Sequence, residues 1–80
     1  MPPRLTPVQQ QIYDLVRRGP KTATELMGFI YWMHPAEAPH RSTIKANVWH
    51  MNQRLRARGE CIRAERGRHR ETPYELHRAP

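Results

Sequence analysis

The sequence predicts a small, mainly α protein that ends in an antiparallel β-hairpin, an α+β fold of three helices followed by two strands. Three observations predict it. Apolar residues recur at helical spacing in three stretches before Gly59, with start and stop signals around them. After Gly59 the apolar period changes from helical to alternating. The basic charge is concentrated in the later part of the chain rather than spread along it. Eighty residues make a single domain, in which folding buries only about 60% of the unfolded chain's surface. That size leaves no room for a deep catalytic cleft.

The first helix is expected over residues 7–18. Thr6 is a candidate N-cap, and Pro7 takes the first helical position, where its missing N–H costs nothing. Val8, Ile12, Leu15 and Val16 form one apolar stripe. Arg17 and Arg18 suit the negative end of the helix dipole, and Gly19-Pro20 stops the helix.

The second helix is expected over 23–32. Thr22 and Glu25 have capping-box spacing. Ala23, Leu26, Met27, Ile30 and Tyr31 supply a buried side, although Gly28 weakens the helix. The aromatic residues of this stretch are expected in the core rather than in a ligand cage. A proline-rich loop follows, since Pro35 and Pro39 both oppose a helix.

The third helix is expected over 43–58, capped by Ser42 or Thr43 and ended by Gly59. Ile44, Val48, Met51 and Leu55 share a core face. Ala46, Asn47, His50, Gln53 and Arg54 are expected on the far side, with Lys45, Trp49 and Arg56 on a flank. From Arg41 to Arg58 there is no acid.

The hairpin is expected over 61–77. Ile62 and Ala64 alternate with Cys61 and Arg63, and Tyr74 and Leu76 alternate with Glu75 and His77. Arg66, Arg68, His69 and Arg70 surround Gly67 in the turn, and Pro73 suits a strand start or edge.

Charge points to the partner. Fourteen Lys and Arg against seven Asp and Glu give a formal net charge of +7, and residues 41–70 alone hold nine basic and two acidic groups. Twelve of the fourteen bases are arginine, whose planar fork suits phosphates and base edges. A solvated surface mixes both signs, so a localised excess argues for a polyanion. Asn, Gln, His and Arg on one helix face are side chains able to reach base edges in the major groove. A basic hairpin tip can enter a minor groove or follow phosphates.

The order of three helices and a hairpin, with a basic third helix and a basic tip, is that of a winged helix-turn-helix. The chain resembles the DNA-binding domain of OmpR/PhoB-type bacterial response regulators over about residues 5–77. That family opens on Leu-Thr-Pro, here Leu5-Thr6-Pro7. Its second helix reads Ser-Arg-Glu-Glu-Leu, echoed by Thr22-Ala23-Thr24-Glu25-Leu26. Its recognition helix follows Arg-Thr-Val-Asp-Val-His-Ile-x-x-Leu-Arg-x-x-Leu, onto which Ser42 to Val48, Met51, Asn52 and Leu55 fall without gaps. Its wing ends in Arg-Gly-x-Gly-Tyr-x-Leu, echoed by Arg66-Gly67 and Tyr74-Glu75-Leu76. This chain departs from the pattern at Lys45, His50 and Asn52, and its wing is longer. Only Met1–Arg4 precede the Leu5-Thr6-Pro7 start, so neither the family's leading sheet nor a receiver domain is expected.

The resemblance implies a sequence-specific regulator that binds double-stranded DNA. The expected DNA contacts are Arg41, Ser42, Thr43, Lys45, Asn47, His50, Gln53 and Arg54 on the recognition helix, and Arg66, Arg68, His69 and Arg70 on the wing. Base reading is expected from Asn47, His50 and Arg54, with Gln53 in reserve. A homodimer on repeated half-sites is compatible with this, as is a protein partner such as RNA polymerase. The alternative is a winged-helix adaptor or inhibitor, which exposed Trp32 or Trp49 would favour. Catalysis, metal and cofactor are not expected: no compact His/Cys spacing, nucleophile set or glycine-rich phosphate loop occurs. The lone Cys61 cannot form an internal disulfide, and no apolar run resembles a signal peptide or membrane span. The expected location is therefore the cytoplasm, at the nucleoid.

Overall fold

The computed structural model describes residues 4–37, 40, 42–64 and 72–78. Three helices, α1 (Pro7–Arg18), α2 (Ala23–Ile30) and α3 (Ser42–Leu55), precede a hairpin of β1 (Glu60–Ala64) and β2 (Tyr74–Arg78).

Both early helices begin with reciprocal capping boxes. In α1, the Gln9 amide N–H donates to Thr6 Oγ1 (3.3 Å) and the Thr6 N–H donates to Gln9 Oε1 (3.2 Å). In α2, Thr22 and Glu25 repeat the arrangement with both distances at 3.1 Å. Each box satisfies two of the orphan donors of a helix start. The Gln9 half of the first box was not anticipated.

Helix α2 ends at Ile30, two residues short of the expected Trp32. The expected burial of Phe29 and Trp32 fails with it, while Tyr31 is half-buried. A helix of two turns shows the core only one stripe, here Leu26 with Ala23, Met27 and Ile30 beside it. Phe29 projects outward and Trp32 lies beyond the helix end, 55% and 72% exposed. The connecting loop makes a short 3₁₀ turn over Pro35–Glu37.

Helix α3 begins at Ser42, one residue before the expected start, so Ser42 is inside the helix. His40 meets the helix start: its Nδ1 accepts from the Ser42 N–H (3.1 Å), and its carbonyl accepts from the Thr43 N–H (2.9 Å). The α-helix ends at Leu55 and tightens into a 3₁₀ turn over Arg56–Arg58. Gly59 then takes a left-handed conformation (φ 69°), which a side chain would strain.

The strands pair antiparallel, with Ile62 opposite Leu76 and Ala64 opposite Tyr74. Ile62, Tyr74 and Leu76 pack on the core as the alternation predicts, while Ala64 on the same side is exposed. An unanticipated bridge ties the hairpin to the α1–α2 linker. Lys21 N–H donates to the Tyr74 carbonyl (3.1 Å), and Tyr74 N–H donates to the Lys21 carbonyl (2.8 Å).

The core is Ile12, Tyr13, Val16, Leu26, Ile44, Val48, Met51, Leu55 and Ile62. All four expected α3 residues are in it. Val8 and Leu15 are only half-buried, while Tyr13 is buried. The Tyr13 hydroxyl explains this placement, because it donates to both carboxylate oxygens of Glu60 (3.0 and 2.9 Å) at the foot of the hairpin. Arg78 Nε adds a 3.3 Å contact to the same carboxylate. Burial, then the Glu60 hydrogen bond, push the Tyr13 hydroxyl above its ordinary pKa. Among the described residues, no helix is long and apolar enough to cross a membrane.

Candidate nucleic-acid interface

Helix α3 has three sides, each fixed by what its side chains touch. The inner side is the core stripe. Asn52, one residue after Met51, reaches the hairpin. Its Nδ2 donates to the Ile62 carbonyl (3.0 Å) and its Oδ1 accepts from the Ile62 N–H (2.7 Å). Ile62 is paired with Leu76, and its backbone groups point away from β2 on the free edge of β1. Asn52 therefore closes that edge at one residue.

The opposite flank is held by Gln9. Gln9 Nε2 donates to Asn47 Oδ1 (3.3 Å), and Asn47 Nδ2 donates to the Thr43 carbonyl (2.9 Å). Arg54 Nη1 donates to Gln9 Oε1 (2.9 Å) and to the Arg4 carbonyl (2.8 Å). Gln9 is 5% exposed and is the one buried polar residue among those described.

This corrects the expected base-reading ridge. Asn47 and Arg54 do not lie opposite the core. Each directly precedes a core residue, Val48 or Leu55, and a step of about 100° puts it on the flank. There α1 half-buries both. Thr43 is also half-buried.

The outward side is Ser42, Lys45, Ala46, Trp49, His50, Gln53 and Arg56, all exposed. Lys45, Trp49 and Arg56 each follow a core residue by one step, as the expected flank places them, and are exposed beside the outermost residues. Trp49 is 61% exposed near the middle of the helix. Its ring meets the His50 ring edge-on, with centroids 5.0 Å apart and planes at 86°. The side carries Lys45, His50 and Arg56 and no acid.

Of the expected contacts, the structure brings Ser42, Lys45, His50 and Gln53 onto one outward side, and turns Asn47 and Arg54 onto α1. Arg41 and the wing residues Arg66, Arg68, His69 and Arg70 lie outside the described residues. Sequence reasoning missed Gln9. The Thr6-x-x-Gln9 spacing is itself a capping-box signal.

Among the described residues, no group of His, Cys, Asp and Glu could hold a metal ion. Comparison with protein-family models, curated proteins and solved structures returns no match to this chain. The helix–helix–helix–hairpin order itself is winged-helix-like.

Proposed function

We propose that this chain is a sequence-specific double-stranded DNA-binding transcriptional regulator, a free-standing winged helix-turn-helix of the OmpR/PhoB response-regulator type. The observation that carries the reading is the outward side of α3, which offers Lys45, His50, Gln53 and Arg56 without an acid in a chain of net charge +7. Helix α3 enters the major groove, and the hairpin lies on the minor groove or the backbone. Gln53 and His50 read base edges. Trp49 gives an apolar contact of the kind that meets a thymine methyl. Lys45 and Arg56 contact phosphates, as do Arg66, Arg68 and Arg70 in the sequence between β1 and β2. The working place of such a protein is the nucleoid.

Selection of bound sites from a random duplex library tests this. An enriched motif supports the reading, and salt-sensitive binding without enrichment overturns its sequence-specific part. Replacing Arg66, Arg68 and Arg70 with alanine lowers the slope of log affinity against log salt by about one unit for each phosphate that an arginine had neutralised. An unchanged slope removes the hairpin from the DNA surface.

A second reading, a winged-helix adaptor or inhibitor, is favoured by the exposure of both Trp49 and Trp32. The Trp49→Ala variant separates the two. Under the first reading the selected motif changes; under the second, DNA binding is unaffected.

A further inference from the structure

Four large apolar side chains are exposed among the described residues: Trp49 on α3, and Phe29, Trp32 and Met33 together at the end of α2. A small domain has little core to spare, so three such residues within about one turn mark a surface that another surface covers. Phe29 and Trp32 border a groove between α1 and α2, which Asp14, Leu15 and Arg18 from α1 and Ile30 also line.

The charge at this groove indicates its occupant. The molecule carries a net +7, and two copies repel each other through most of their surfaces. Here the rim offers one acid and one base, Asp14 and Arg18, one helical turn apart on the same face of α1. Such a pair is complementary to its own copy. If two α1 helices lie antiparallel across a twofold axis, Asp14 meets the partner's Arg18, and Arg18 meets the partner's Asp14, over a shared apolar centre. An acidic partner would instead favour α3, where the basic charge lies.

We propose that this α1–α2 groove is the twofold interface of a homodimer, with Trp32 and Phe29 as its apolar centre and the Asp14–Arg18 pairs at its rim. None of its residues belongs to α3, so both copies keep their outward α3 sides free. The proposal does not depend on what those sides bind.

Sedimentation equilibrium of the full chain without DNA, from micromolar to millimolar protein, tests it. The unaltered protein shows a concentration-dependent dimer. Trp32→Ser weakens it by roughly 30-fold, the size of an interface hot spot, with an unchanged melting curve at dilutions where both proteins are monomeric, because the residue is exposed in the single copy. Asp14→Arg and Arg18→Asp are each monomeric alone. Mixed in equal amounts they form a heterodimer, because each now complements the other. A protein that stays monomeric at every concentration overturns the proposal. So does a dimer that survives Trp32→Ser, or a mixture of the two charge variants that does not associate. Because no DNA is present, this outcome is separate from that of the site selection.

Discussion

The two outer regions of α3 carry similar residue types with different surroundings. On the α1 flank, Asn47 and Arg54 are held by Gln9 and by backbone carbonyls. On the outward side, Lys45, Trp49, His50 and Gln53 are exposed. An asparagine or an arginine on a basic helix is therefore not, by type, a reader of bases. What decides is whether a neighbouring element presents a group that needs it. Helix α1 begins beside Asn47 and Arg54 with the buried Gln9 side chain. Among the described residues, nothing comparable faces Gln53.

The largest expected effect belongs to neither region but to the stripe that orients both. Val48→Asp puts an unpaired carboxylate among Ile12, Met51 and the rest of the core. The cooperative thermal transition should disappear, a loss of more than about 4 kcal/mol. A normal melt would mean that α3 is rotated, and the contrast between its flank and its outward side would fall with it.

Asn52→Ala comes next. It strips both backbone groups of Ile62 of their side-chain partner. The cost should be about 1–3 kcal/mol, the penalty for unsatisfied buried groups, read as a lower melting temperature with unaltered DNA-site preference. A changed preference would make Asn52 part of the DNA surface, as the arginine at the matching place of the resembled pattern would suggest.

The order of elements was legible because each rests on local signals: the Thr6-Pro7 helix start, the Thr22–Glu25 capping box, Gly19-Pro20, Gly59, and a change of period at the hairpin. The α3 core stripe was legible for the same reason. The rest depends on contacts between elements far apart in sequence. Gln9 meets Asn47 and Arg54, Tyr13 meets Glu60, Lys21 meets Tyr74, and Asn52 meets Ile62. No local spacing encodes those pairs. The exposure of Phe29 and Trp32 was hidden for a related reason: hydrophobicity argues for burial, but α2 is too short to bury a second stripe.

The flank and the outward side can be separated directly. Gln9→Ala removes a capping partner and the acceptor of Arg54, and should destabilise by about 1–2 kcal/mol. In a double-mutant cycle, Gln9→Ala and Arg54→Ala should couple by at least about 0.5 kcal/mol. Neither change should alter the ratio of specific to random-sequence affinity. Gln53→Ala should do the reverse: stability stays within about 0.5 kcal/mol, while that ratio falls by roughly 1–3 kcal/mol, the discrimination a good side-chain-to-base pair supplies. A Gln9 variant that changes the ratio while stability is intact would place the flank, not the outward side, in the groove.

The smallest effect tests the middle of α1, where Tyr13 does for the hairpin what Gln9 does for α3. The folded state holds the Tyr13 hydroxyl above its ordinary pKa of 10.0, through burial first and the Glu60 hydrogen bond second. Near and above pH 10 the unfolded chain therefore loses this proton more readily than the folded one. The folded state then binds more protons, so stability falls as pH rises. The contribution is fully present below pH 10 and is lost as pH climbs through the raised folded value. Half-buried Tyr74, also raised by burial, adds to the same fall. Tyr13→Phe keeps the ring in the core and removes the titrating group, so the alkaline decline in melting temperature should become shallower without vanishing. At neutral pH the variant should still melt lower than the parent, because Glu60 keeps Arg78 but loses the hydroxyl. If the alkaline slope is identical in both proteins, the Tyr13–Glu60 bond does not anchor the hairpin in solution. The hold of α1 on the rest of the fold would then rest on Gln9 and the apolar core alone.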